Sequence, residues 1–124
     1  MDTTEKKEIN TFLEKSINYL KTRGFEDIKT KLSGYESPKS FTLQNDGLTL
    51  SADITAHKNG QKFLFDTGLK SKEIKLLKSK WLLLDTIARR KSYHFKILTT
   101  RGHYKFTDSM LNEINLPNKK TVRI

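Results

Sequence analysis

Two aspartates, Asp53 and Asp66, have the type and spacing to do chemistry in this sequence. They lie in 48–70, LTLSADITAHKNGQKFLFDTGLK, on either side of Asn59-Gly60. Asn-Gly between alternating segments is a strong hairpin signal, because both positions of the tight turn take φ > 0. A two-residue turn fixes the register. It pairs Lys58 with Gln61, Ala56 with Phe63, Ile54 with Phe65 and Asp53 with Asp66. Directly opposed Cβ atoms lie about 4.5–5.5 Å apart, and like charges placed there are destabilising unless something offsets them. A divalent cation preferring hard oxygen ligands would do so. The pair therefore points to a divalent cation, with Asp53 and Asp66 as its ligands.

The elements that must hold these residues follow from periodicity. Ala52, Ile54, Ala56, Phe63 and Phe65 make one apolar face of the hairpin; Ser51, Asp53, Thr55, His57, Lys62, Leu64 and Asp66 make the other. Asp46-Gly47 is a second two-residue hairpin signal, pairing Leu43 with Leu50 and Phe41 with Ala52. The two turns agree on one apolar face for three antiparallel strands at 39–45, 48–57 and 61–67.

Residues 3–22 read as a helix with Ile9, Phe12, Leu13, Ile17 and Leu20 in one stripe, Asp2 and Glu5 at its start and Gly24 after its end. Glu5 and Glu14 could reach a neighbouring site, although capping or solvated roles account for both. A strand over 25–32 follows. The segment 71–90 is a second helix with Ile74, Leu77, Trp81, Leu84 and Ala88 in its stripe. It is expected to cover Phe41, Leu43, Ile54, Phe63 and Phe65. Then come a strand at 93–99, a turn at 100–102, a strand continuing over 103–106, a short helix at 109–114 capped by Thr107 or Asp108, and a frayed basic tail at 119–124.

Composition bounds the partners. A chain of 124 residues is sized for one domain, 1–124, and 24 Lys and Arg against 14 acids give +10. Such a balance favours polyanions, nucleic acid first and acidic membrane surfaces second. An acidic protein is the alternative. No cysteine is present, which excludes disulfides and thiolate metal sites and suits a reducing compartment such as the cytoplasm. The N-terminal residues lack the apolar segment of a signal peptide, and the apolar run at 81–84 is far short of the ~20 residues of a membrane span.

Lys70, Lys72, Lys75, Lys78 and Lys80 crowd the start of the second helix, where cations oppose the macrodipole. A phosphate nearby would explain them; a solvated face is the plainer reading. The expected nucleic-acid contacts are Lys72, Lys75, Lys78, Arg89 and Arg90. Tyr93, Tyr104 and Phe106 among Arg89, Arg90, Lys91, Arg101 and Lys105 have the mixture that single-strand binders use, which an ordinary basic surface also has. His57, His94 and His103 have no zinc spacing, and no P-loop or dinucleotide fingerprint is present.

Helix, antiparallel strands, helix and strand, with an Asp on one strand and a second Asp on the next, resemble the restriction-endonuclease-like PD-(D/E)XK nucleases, nearest to archaeal Holliday junction resolvases. Residues 53–60, DITAHKNG, look like the first-Asp strand and turn, 63–68, FLFDTG, like the second strand, and Arg23-Gly24-Phe25 like the end of the first helix. The likeness covers roughly 8–100, with about 20 residues in its specific part. It implies an α/β fold, an α/β/α sandwich with a mixed central sheet, a Mg²⁺-dependent nuclease acting on DNA, and members that often pair as homodimers.

The family's lysine, two residues after the second acid, is Gly68 here. Lys70 is the nearest substitute and joins Asp53 and Asp66 as an expected catalytic residue. On that reading Gly68→Lys raises cleavage. The alternative is a degenerate member that binds DNA or assembles with protein without catalysis.

Overall fold

The computed structural model describes residues 3–42, 47, 49–116 and 121–124. Helix α1 (Thr3–Thr22) leads into strand β1 (Glu26–Thr30), and the short strands β2 (Ser40–Thr42) and β3 (Thr49–Ser51) follow. The hairpin comes next as β4 (Ile54–Lys58) and β5 (Gln61–Thr67). Helix α2 (Ile74–Lys91), strand β6 (His94–Thr99), helix α3 (Tyr104–Glu113) and strand β7 (Thr121–Arg123) complete the order. The main sheet runs β1-β4-β5-β6-β7; β2 and β3 form a separate ribbon. β1, β4 and β5 are antiparallel neighbours, whereas β5, β6 and β7 are parallel, so the sheet is mixed.

The Asn59-Gly60 turn forms as its chemistry dictates, with φ of 52° and 76°. It sets Lys58 against Gln61, Ala56 against Phe63 and Ile54 against Phe65. The second hairpin differs from expectation. Phe41 opposes Leu50, not Ala52, and Leu43 and Asp46 lie outside the described residues. The expected long strand at 48–57 is interrupted at Ala52 and Asp53. Side chains take the Asp53 backbone there: its carbonyl accepts from Thr30 Oγ1 at 3.0 Å, and its N–H donates to Asp66 Oδ1 at 3.3 Å. The interruption switches faces, so Ala52 and Ile54 enter different cores.

The two helical layers also differ from expectation. Helix α1, not α2, covers the apolar face of the hairpin, with Phe12, Leu13, Ile17 and Leu20 packed on Ile54, Ala56, Phe65 and Leu98. Phe25 packs edge-on to Phe63 and Phe65 at centroid distances of 4.9 and 5.4 Å. Helices α2 and α3 cover the other face, where Trp81, Leu84, Ala88, Met110 and Leu111 meet Ala52, Leu64, Phe95 and Ile97. The face carrying Asp53 and Asp66 is thus buried too, as the parallel half of such a sheet requires. Ile74 and Leu76 remain exposed although the helical stripe included Ile74.

The expected strand at 103–106 is instead a helix start, with His103 as the N-cap and 104–106 in its first turn. α3 begins at Tyr104, and Thr107, Met110 and Leu111 supply its buried side. The C-terminal residues form β7 beside β6, with Ile124 N–H donating to Thr99 O at 2.8 Å and Thr100 Oγ1 donating to Ile124 O at 3.0 Å. Val122 and Ile124 pack on the α1-side core, so residues 121–124 are anchored, where the expected tail was frayed. Deleting residues 121–124 should lower stability by about 2 kcal/mol or more, the scale of burying apolar side chains and closing ladder bonds. Urea denaturation measures it; an unchanged midpoint is what a frayed tail would give.

Candidate active site

Asp53 stands at the interruption before β4, and Asp66 near the carboxyl end of β5. Helix α2, returning over that face, presents Lys80 and Trp81 to them. The Lys80 ammonium lies 3.1 Å from Asp53 Oδ1 and 2.8 Å from Asp66 Oδ1. Trp81 Nε1–H donates to Asp66 Oδ2 at 2.8 Å. Thr67 holds Asp53 Oδ2 with its backbone N–H at 3.0 Å and its hydroxyl at 2.8 Å. Consecutive helix residues therefore clasp Asp66, while the strand residue after Asp66 clasps Asp53.

Burial makes this arrangement electrostatically tight. Asp66 is fully buried, and the Lys80 and Asp53 side chains are 15% and 18% exposed. Loss of water, reinforced by the Asp53 charge, pushes the Asp66 carboxyl up to about 7 against the pull of Lys80. Burial pushes Asp53 the same way, but Lys80 and the hydrogen bonds from Asp66 and Thr67 outweigh it and hold Asp53 below the usual carboxylate range. For Lys80, burial pulls the ammonium down, and the two aspartates more than reverse it. One ammonium facing two carboxylates leaves a net negative charge when both are ionised.

These groups line one wall of a cavity of about 560 Å³ between α1 and α2. Lys6, Lys31 and Lys70 also line it, as do Glu8 and Glu73. Asp53 and Asp66 meet as the hairpin register requires, but the cation that joins them is Lys80. Strand β5 ends at Thr67, and Lys70 is an exposed residue whose backbone N–H donates to His103 Nδ1 at 2.9 Å. Lys70 lines the same cavity, while the ammonium bonded to the two aspartates is that of Lys80. A signal for Lys80 existed: it falls three residues after Leu77 and four before Leu84, within the buried stripe of α2.

Gly68 shows why no lysine occupies that position. A Cβ built there would sit 2.5 Å from Thr107 Oγ1 and 2.8 Å from Ile97 Cγ2. Its carbonyl accepts from both Thr99 Oγ1 and Thr107 Oγ1, at 3.0 and 2.9 Å. A side chain would break this contact between β5, β6 and α3, so the expectation that Gly68→Lys improves the site is corrected.

The chain matches no protein-family model, no curated protein and no solved structure.

Other expected contacts are dispersed. Lys72 and Lys75 are exposed at the site end of α2; Arg89 and Arg90 are exposed at its far end, about 20 Å away at 1.5 Å per residue. Lys78 pairs with Glu113, and Arg89 with Asp85 at 3.1 Å. Glu14 is exposed, and the Glu5 side chain lies outside the described residues. Tyr93 and Tyr104 serve as platforms for Lys62 and Arg123. Among the described residues no helix is long and apolar enough to cross a membrane.

Two measurements probe the packing and charge of the site. Gly68→Ala should destabilise by about 1–3 kcal/mol through overpacking, and Gly68→Lys by at least as much, with no gain in cleavage. The folded protein holds the Asp66 proton from 3.8 up to about 7, where the unfolded chain has released it. That contribution is full below 3.8 and is lost as pH rises through 7. Asp53 acts oppositely, losing its contribution as pH falls below the usual carboxylate range. Stability of the Asp66→Asn variant should therefore decline less than wild type between pH 4 and 7, measured by urea denaturation at each pH.

Proposed function

We propose that this chain is a nuclease-like domain of the restriction-endonuclease-like kind that hydrolyses phosphodiester bonds in DNA with a divalent metal ion. The observation that carries the reading is the placement of Lys80 between Asp53 and Asp66 on the wall of a lysine-rimmed cavity. The mixed sheet between helical layers agrees with the sandwich plan that the sequence resembles.

The donor set fits Mg²⁺. Two carboxylates offer hard oxygens at a site one positive charge short of neutral. Among the described residues no group of three acidic or histidine ligands forms. Mg²⁺ commonly takes one or two carboxylates and completes its shell with water and substrate phosphate oxygens. Asp53 and Asp66 would hold it. When bound, such an ion supplies an activated water and neutralises charge developing on the phosphate.

The chain's own residues do the rest. Thr67 fixes Asp53 and Trp81 fixes Asp66, so neither carboxylate must reorganise. Lys80 supplies a fixed positive charge for a phosphate oxygen. Lys31, Lys6 and Lys70 draw the polyanion to the cavity.

A second reading rests on one observation: every oxygen of the two carboxylates already has a hydrogen-bond or ion-pair partner within the protein. Lys80 would then be the permanent counter-ion of a nucleic-acid-binding module without catalysis. Mn²⁺ distinguishes the two. On the nuclease reading Mn²⁺ raises the melting temperature, and Asp53→Asn abolishes the rise. Lys80→Met lowers cleavage of a DNA substrate by about 10²–10³-fold, the scale of losing one charge-stabilising group, while Lys70→Ala stays within a few-fold of wild type. A wild-type protein whose melting is indifferent to Mn²⁺ and which cuts neither branched, duplex nor single-stranded DNA supports the binding module.

A further inference from the structure

We propose that a second pocket, beside the Asp53–Asp66 cavity, is a nucleobase subsite, so that the DNA this chain takes is single-stranded, or frayed where it enters. The inference rests on the nuclease reading for its direction, but on separate residues. This pocket, of about 430 Å³, shares the lining residues Glu8 and Leu69 with the catalytic cavity, so the two adjoin. Its floor is apolar: Phe12 and Leu69 line it and are otherwise buried.

Its rim is cationic. Lys7, Thr11 and Lys15 recur at i, i+4 and i+8 along one face of α1, which sets the two lysines about 12 Å apart along the helix. Both are exposed. An apolar floor between two ammonium groups matches a nucleotide strand, whose bases are flat and apolar on their faces and whose phosphates run alongside.

The polar groups refine the match. Thr11 Oγ1 donates to Lys7 O at 2.9 Å, and Thr100 Oγ1 donates to Ile124 O at 3.0 Å. Both hydroxyl protons are thus committed, which leaves the oxygens of these two pocket-lining residues as acceptors, suited to the N–H donors of a base edge. Glu8 stands between the pockets, and His103 faces it, with Nε2 3.3 Å from Glu8 Oε1. His103 Nδ1 accepts the Lys70 N–H, so its proton is on Nε2 and points at Glu8. A carboxylate at the junction repels phosphate, leaving that position to a base and the phosphates to the lysines. Bases in a closed duplex are stacked on both faces and cannot meet this floor without leaving the stack.

The test is equilibrium binding of fluorescein-labelled oligothymidylate and of a blunt duplex of equal length, in EDTA so that no strand is cut. Wild type should bind the single strand more tightly than the duplex. Thr11→Met, at an exposed position, fills the pocket without adding charge; it should weaken oligothymidylate binding about tenfold or more and leave duplex binding unchanged. Replacing Lys7 and Lys15 together by Ser should lower the salt slope for the single strand by about 1.4, or about 0.7 per phosphate contact. Equal affinity for both DNA forms, a Thr11→Met protein that binds as wild type does, or equal competition by polyglutamate would each overturn the subsite. Cleavage is read separately. A wild type that never cuts DNA but loses oligothymidylate binding on Thr11→Met supports the subsite and removes the hydrolase.

Discussion

The Lys80 ammonium held between two buried carboxylates is the interaction on which the site end of this fold depends. It joins the start of β4, the end of β5 and the second turn of α2, three elements distant in sequence. Such a triad is costly to bury. An apolar trio of similar volume would often be as stable or more so, whereas removing one member leaves charge stranded. Trp81, which bonds Asp66, belongs with Ala52, Leu64 and Leu84 to the apolar cluster on this face of the sheet. The contrast between that apolar cluster and the charged centre is what a site retained for chemistry or recognition looks like.

Gly68 shows how closely the surrounding structure constrains the location of that charge. Immediately beyond β5 the chain is gripped on both sides, with the Gly68 N–H donating to Leu98 O at 2.6 Å and its carbonyl held by Thr99 and Thr107. No side chain fits between β5 and α3 there. A positive charge for the aspartates must come from another element. Helix α2 is the one that passes over them, because the parallel pairing of β5 with β6 requires a crossover and the helix makes it. The tight grip on Gly68 and the arrival of Lys80 from the helix are two consequences of one packing arrangement.

The hairpin was legible because its determinants are local. Asn59-Gly60 fixes the turn, the turn fixes the register, and the register brings Asp53 to Asp66. What the sequence concealed is long-range. Which helix covers which face depends on the break at Asp53, whose backbone bonds to Thr30 and Asp66, residues far away in the chain. β7 reads as a basic tail because a three-residue edge strand carries too little periodicity to register, and its partner β6 lies beyond an intervening helix. The α3 start was missed because Tyr104, Lys105 and Phe106 alternate like a strand, and Thr107, Met110 and Leu111 reveal the helical face only once α3 docks. Lys80 was visible as one of a run of lysines; its position inside the apolar stripe, between Leu77 and Leu84, was the feature that separated it from its solvated neighbours.

Net charge says little about how this surface would meet a polyanion; placement says more. The exposed lysines at the start of α2 and the arginines at its end lie too far apart to act on one phosphate group. Lys6, Lys31 and Lys70 come instead from α1, the segment after β1 and the loop after β5, three places that the sheet brings around one cavity. They share that cavity with the two carboxylates, an arrangement that would be self-quenching if the aspartates were free. Lys80 prevents this by balancing much of their charge internally, so the rim lysines remain available to a ligand in solution.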